Sequence, residues 1–169
     1  MLLEGAEVQQ RVVALAQRLA PQLDDDTVAI CLLVGGLWFA ADLTRALASE
    51  GRVMPFDALW LSSYGDERTS VARCERLAGP QRSVRERSVL VIDDVVDSGA
   101  SLREAERFLR NAGAAQVITA VFARKPWPTQ RAIEPDYVAW EAPAKFLVGY
   151  GMDDAGGMRG LPWIGALRS

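Results

Sequence analysis

The chain has 169 residues, enough for one well-buried core and cramped for two. Half of them are hydrophobic, 24% are charged and the net charge is −3, the composition of an ordinary soluble globular protein and an unpromising one for a nucleic-acid partner. There is no histidine, which excludes Ser-His-Asp and Cys-His catalysis and the usual zinc ligand sets and leaves acid–base chemistry to carboxylates, Lys, Tyr or Cys.

Two cysteines, Cys31 and Cys74, are too few for a disulfide framework, and the opening MLLEGAEV lacks the basic region and apolar core of a signal peptide. The expected location is the cytoplasm. The longest apolar stretch, residues 28–41, is shorter than a membrane span and is interrupted by Gly35-Gly36.

Val8, Val12, Leu15 and Leu19 recur at helical spacing, and Pro21 closes that first helix. VAICLLV (28–34) is a buried strand by pattern; after Gly35-Gly36 a second helix, LWFAADLTRALASEG, ends at Gly51. Residues 56–61 suggest another strand. Residues 65–87 are polar and rich in arginine (Arg68, Arg73, Arg76, Arg82, Arg85, Arg87), the pattern of a long loop. VLVID (89–93) predicts the next strand. Ser101 with Glu104 has the spacing of a capping box, opening a helix whose inner face is Leu102, Ala105, Phe108 and Leu109 and which stops near Gly113. Strands are expected near 117–122, 136–140 and 146–150. Strands alternating with helices, several of them apolar throughout, indicate an α/β fold with a mostly parallel sheet flanked by helices.

The most informative stretch is VLVIDDVVDSGASL (89–102). An apolar strand is followed by three acids, Asp93, Asp94 and Asp97, and then by residues with almost no side chain, Ser98, Gly99, Ala100 and Ser101. In an open parallel sheet, ligands bind beyond the carboxyl ends of the strands. Backbone N–H groups, two hydroxyls and a helix N-terminus suit a phosphate, while the adjacent carboxylates suit vicinal hydroxyls. The pattern therefore fits a sugar phosphate, with a bound Mg²⁺ able to offset the acids' charge. No P-loop sequence is present.

This stretch resembles the 5-phosphoribosyl-1-pyrophosphate (PRPP) signature of type I phosphoribosyltransferases. GGLWFAADLTRAL, SSYG, RKP, PDYVAWEAP and KFLVGYGMDD…MRGLPWIG are similar, in order and spacing, to the hypoxanthine-guanine phosphoribosyltransferase family. The resemblance runs from about Val28 to Leu167. It implies a type I phosphoribosyltransferase-like domain over residues 1–169, with a core at about 25–125 and a small hood built from both chain ends. The implied activity is purine salvage with Mg²⁺: hypoxanthine and/or guanine plus PRPP giving IMP or GMP and pyrophosphate. The alternatives are a related enzyme for another base such as xanthine, and a PRPP- or nucleotide-sensing regulator on the same fold.

Carried over position by position, the resemblance implies that Asp93 and Asp94 hold the ribose hydroxyls, and hold metal indirectly through those hydroxyls or water. Asp97, Ser98, Gly99, Ala100 and Ser101 would form the 5′-phosphate loop, with Asp97 as the acid/base carboxylate. Lys125 would read the purine 6-oxo group, Tyr137 would stack on the base and Val138 would offer its backbone. Ser63-Tyr64 would sit on a mobile loop. Val34-Gly35 would form the pyrophosphate loop, which in the family often carries a non-proline cis peptide. A homodimer or homotetramer is implied. Two positions depart from the pattern: Val34 stands where a basic residue is usual, and Ala144, in PAKF, where the family has an aspartate that helps hold metal.

Overall fold

The computed structural model describes residues 1–64 and 73–167. In chain order the elements are α1 (Gly5–Leu19), a 3₁₀ turn (Ala20–Gln22), β1 (Val28–Leu33), α2 (Leu37–Ser49), β2 (Phe56–Tyr64), β3 (Arg73–Ala78), β4 (Ser88–Val96), α3 (Ala100–Asn111), β5 (Gln116–Arg124), β6 (Tyr137–Glu141), β7 (Leu147–Val148) and β8 (Gly165–Ala166). Six strands make one sheet in the order β3-β2-β1-β4-β5-β6, parallel except for the antiparallel β2–β3 pair.

The burial of β1, β4 and β5 explains why these strands are apolar on both faces. α1 and α2 cover one face through Val8, Val12, Leu15, Phe39 and Leu43, packed in one cluster with Phe122 of β5. α3 covers the other through Leu102, Ala105 and Leu109 against Val89, Val91 and Val121. On the α1/α2 side Phe122 meets Phe39 and Tyr150 edge to face, with ring centroids 5.5 and 5.1 Å apart. The chain ends converge: Leu3 bridges Ile164, and β7 pairs antiparallel with β8. Among the described residues no helix is long and apolar enough to cross a membrane.

Four expectations are corrected. Residues 73–78, expected within a loop, form β3, an edge strand whose charged side chains hide the usual alternation and protect an otherwise open sheet edge. The acids do not end the fourth strand, because β4 runs on through Asp93 and Asp94 to Val96. Ser101 does not cap α3. The helix starts at Ala100 with Gly99 as its N-cap at φ +78°, and Glu104 pairs with Arg107 instead. The closing strand is also shorter than expected, only Leu147–Val148.

Phe122 is the side chain on which both aromatic contacts depend. Phe122→Ala is expected to cost about 3–5 kcal/mol, as for other large-to-small core changes, measured as a fall in the urea midpoint with unchanged slope.

Candidate active site

The carboxyl ends of β1, β4 and β5 open on the same edge of the sheet, because Cys31 lies opposite Ile92 and Val96 opposite Arg124. β1 leaves the sheet through a cis peptide between Leu33 and Val34. The next residue packs so closely on β4 that a Cβ at Gly35 would lie 2.1 Å from Asp94 Oδ2. Only glycine fits there. Val34 itself is exposed.

Asp93 and Asp94 are consecutive carboxylates beneath that loop. The Asp94 N–H donates to Asp93 Oδ1 at 3.0 Å, and the Val95 N–H donates to Asp94 Oδ1 at 2.8 Å. Burial holds both acids above the usual carboxylate range, and the charge of Asp94 raises Asp93 further. On Asp94 the rise is opposed by a hydrogen bond from Asp93, by the Val95 N–H and by the Arg159 guanidinium. The pair thus resists carrying two negative charges until a donor or cation meets it. Cys31, behind them, is pushed up to about 12 by burial and then by the two acids, which makes its thiol a poor nucleophile.

Asp97, Ser98 and Gly99 form the turn between β4 and α3. Lys125, just past β5, sets its Nζ 2.8 Å from Asp97 Oδ2 in a hydrogen bond and as near to Oδ1. Oδ1 is buried, and the Lys125 ammonium is its neighbour. The turn is clamped from above by residues 131–133. Arg131 Nε donates to the Asp97 carbonyl at 2.8 Å, a second Arg131 nitrogen donates to the Lys125 carbonyl, and Ala132 N–H donates to the Ser98 carbonyl at 2.9 Å. The same clamp explains Gly99: its φ is positive, and a Cβ there would lie 2.6 Å from the Ile133 carbonyl oxygen. Its need for glycine thus comes from the fold itself, whatever ligand approaches.

Tyr137 and Val138 are not brought to this group. On β6 they pair with Ala120 and Val121, whereas Lys125 lies four residues beyond Val121. At roughly 3.3 Å per residue that separates Val138 from Lys125 by about 13 Å along the sheet. Tyr137 packs on the α1/α2 core, and the Val138 carbonyl accepts from Arg18 of α1 at 2.7 Å. A different aromatic sits nearer. Ala142 N–H donates to the Arg124 carbonyl, placing the PAKF turn beside Lys125, and Phe146 in that turn is 53% exposed. An exposed phenylalanine in a polar turn was the available signal.

The backbone of Ser63 and Tyr64 lies at the end of β2, paired with Cys74 and Arg73. The rest of the expected mobile loop, with Arg68, lies outside the described residues.

Two functional candidates were missed. The turn after β7 brings Gly151 against the Val34-Gly35 loop, where a Cβ would lie 2.2 Å from the Gly35 carbonyl oxygen and 3.5 Å from Asp94 Cβ. Arg159 Nη1 donates to the Gly151 carbonyl at 2.6 Å, and its other terminal nitrogen pairs with Asp153 at 2.6 Å. A cation, Arg159, thus stands on the turn that packs against the Val34-Gly35 loop, with an acid, Asp153, beside it. Ala144 is exposed on the PAKF turn.

An acid pair in the last residues of β4, a small-residue turn opening a helix and a paired lysine define a phosphoribosyl-binding class of site, and a family model described as "Phosphoribosyl transferase domain" matches residues 5–155. The hypoxanthine-guanine phosphoribosyltransferase of Bacillus subtilis is 32% identical over 169 residues, covering 99% of this chain and 92% of its own. That of Dictyostelium discoideum is 29% identical, covering 96% and 91%. Among solved structures, a hypoxanthine phosphoribosyltransferase from Staphylococcus aureus superposes with a TM-score of 0.89 at 26% identity, covering 99% of this chain and 90% of its own. One from Trypanosoma cruzi does so with a TM-score of 0.90 at 29% identity, covering the same shares. The chain belongs to the hypoxanthine-guanine phosphoribosyltransferase family.

The acid pair has a consequence for stability. With Asp93 raised above its unfolded value, the folded chain binds that proton more tightly than the unfolded chain. Stability is therefore lost as pH rises from about 3.9, the unfolded value, through the folded one. Asp93→Asn removes this loss. The ligand-free variant should melt higher than the natural protein at pH 7–8, with the gain vanishing towards pH 4. Melting temperature against pH checks it, and a constant offset would contradict it.

Proposed function

We propose that the protein transfers the 5-phosphoribosyl group of PRPP to hypoxanthine and/or guanine, releasing pyrophosphate and the nucleoside monophosphate. The observation that carries this reading is the Asp97–Lys125 pair, a carboxylate and an ammonium 2.8 Å apart over the small-residue turn. The named activities of the relatives agree with it.

In this reading the 5′-phosphate rests on the backbone of Ser98, Gly99, Ala100 and Ser101 at the start of α3. Asp93 and Asp94 accept from the ribose hydroxyls, which relieves the raised acids. Val34-Gly35 and Arg159 face the pyrophosphate. Lys125 Nζ donates to the 6-oxo group, and Phe146, rather than Tyr137, stacks on the base. A ring nitrogen of the purine attacks the anomeric carbon as the bond to pyrophosphate breaks, and the bonding pair leaves with pyrophosphate. Asp97 takes the imidazole proton that the attacking base must lose. The Arg131 clamp holds the backbones of Asp97 and Lys125 so that both side chains meet one base.

The donor set fits Mg²⁺. No group of three or more potential ligands occurs among the described residues, and a pair of acids suits an ion that completes its shell with water and substrate oxygens. Asp93 and Asp94 would hold it through the ribose hydroxyls or water, and when bound it would offset charge on the leaving pyrophosphate. The converged chain ends, with β7 and β8, would form the hood over the base. Exposed Val34, Leu37, Phe56 and Trp60 around β1, α2 and β2 support a homo-oligomer, homodimer or homotetramer, and the phosphorylated substrates suit the cytoplasm.

Incubation with PRPP, Mg²⁺ and each 6-oxopurine should yield the corresponding nucleotide. PRPP binding without turnover on any base would overturn the enzymatic reading. Asp97→Asn keeps the side chain's shape and removes its basicity, so kcat should fall by about 10²–10⁴ with PRPP affinity retained. Unchanged turnover would take Asp97 out of the mechanism.

A further inference from the structure

Tyr150 lies outside every role assigned above, yet it is built into the molecule with unusual care. It is 3% exposed and sits between Gly149 and Gly151, and all three residues have positive φ (93°, 49° and 99°). For tyrosine that backbone region is uncommon and costs free energy, so the fold must hold it there. The ring is fixed edge to face on Phe122. Its hydroxyl crosses to α2 and donates to Asp42 Oδ2 at 2.9 Å, where Gln9 Nε2 of α1 also donates at 2.8 Å. Arg45 pairs with Oδ1 of the same carboxylate at 3.0 Å.

Both ends of this bond lead to the pyrophosphate side of the site. Asp42 lies in the second turn of α2, whose first residue follows Gly35-Gly36 directly, so the helix and the loop move together. Tyr150 precedes Gly151, whose backbone packs on the Gly35 carbonyl and whose own carbonyl holds Arg159. One buried hydroxyl therefore ties two segments of the chain, more than a hundred residues apart, that meet at Asp94.

We propose that Tyr150 is a positioning residue for the phosphoribosyl donor: its bond to Asp42 sets the spacing between the Val34-Gly35 loop and Arg159, and thereby the affinity for PRPP and pyrophosphate. The proposal rests on the phosphoribosyltransferase reading. Lys125, Asp97 and Phe146 sit on other turns, so affinity for the base does not depend on it.

Binding of PRPP and of pyrophosphate, each with Mg²⁺, to the full chain by calorimetry tests it, alongside KM for the base and thermal unfolding. Tyr150→Phe keeps the ring and loses only the hydroxyl. It should weaken PRPP and pyrophosphate about five- to tenfold, the net worth of one ordinary hydrogen bond, with KM for the base held. Asp42→Asn keeps an acceptor oxygen and should retain natural affinity. Asp42→Ala should match Tyr150→Phe, and the double variant should lose no more than either. Unchanged PRPP and pyrophosphate affinity in Tyr150→Phe, or an equal loss for the base, would overturn the proposal. A natural protein that binds no PRPP at all would overturn it together with the reading on which it rests.

Discussion

Where β1 leaves the sheet, the chain passes Asp94 with no space for a single extra carbon at Gly35, and the C-terminal turn presses on the same loop through Gly151. Three backbones from distant parts of the sequence thus touch at one carboxylate. Close packing of this kind transmits small displacements, because protein interiors have few voids to absorb them. The position of the pyrophosphate loop, the environment of the acids and the reach of Arg159 all follow from that contact. Its electrostatic cost is considerable. Two neighbouring acids lose water together, and an unpaired buried charge is among the most unfavourable groups a fold can carry. Arg159 offsets part of the cost on Asp94.

Rigidity and recognition are divided between strands and turns. β1, β4 and β5 are buried on both faces and carry little chemistry except at their ends. The turns that follow them bear the polar groups, and each is tied down by main-chain bonds rather than by ligand. Arg131 illustrates the economy of this: one side chain, 10% exposed, bonds the carbonyls of both Asp97 and Lys125, whose own side chains pair with each other. The Asp97–Lys125 ion pair is half-buried, and pairs of that kind contribute little net stability. In the proposed mechanism its value would lie in keeping a proton acceptor and a donor side by side before the base arrives.

Much of this was legible in the sequence because local chemistry determined it. The doubly buried strands β1, β4 and β5 appear as apolar runs, α1 and α3 appear as helical periodicities, and the acid-rich turn declares itself by composition. β3 was hidden because an exposed edge strand needs only one apolar face and here carries charges along it. Ser101 and Glu104 have the spacing of a cap, but the helix starts two residues earlier, after Gly99 at positive φ, and no pattern of side chains reports a backbone angle. Tyr137 was misjudged for want of register. An aromatic beside a matched motif looks equally suitable wherever it lies along a strand, and only the pairing of Tyr137 with Ala120 shows that it ends far from Lys125.

Val34 and Ala144 carry the same point from single residues to function. Each breaks the family pattern at a position where a charge is expected, and viewed along the chain each seems to subtract from the site. A ligand, however, responds to the field at a point in space, to which any segment within several ångströms contributes. Arg159, 125 positions after Val34, approaches Asp94 through the Gly151 turn, with Asp153 as its companion. Ala144 stands exposed on the PAKF turn. The charge to be supplied at the pyrophosphate side can therefore come from the C-terminal turn, provided that turn is held against Gly35. That condition makes the packing of Gly151, and the buried tyrosine beside it, as much a part of the charge balance as the arginine itself.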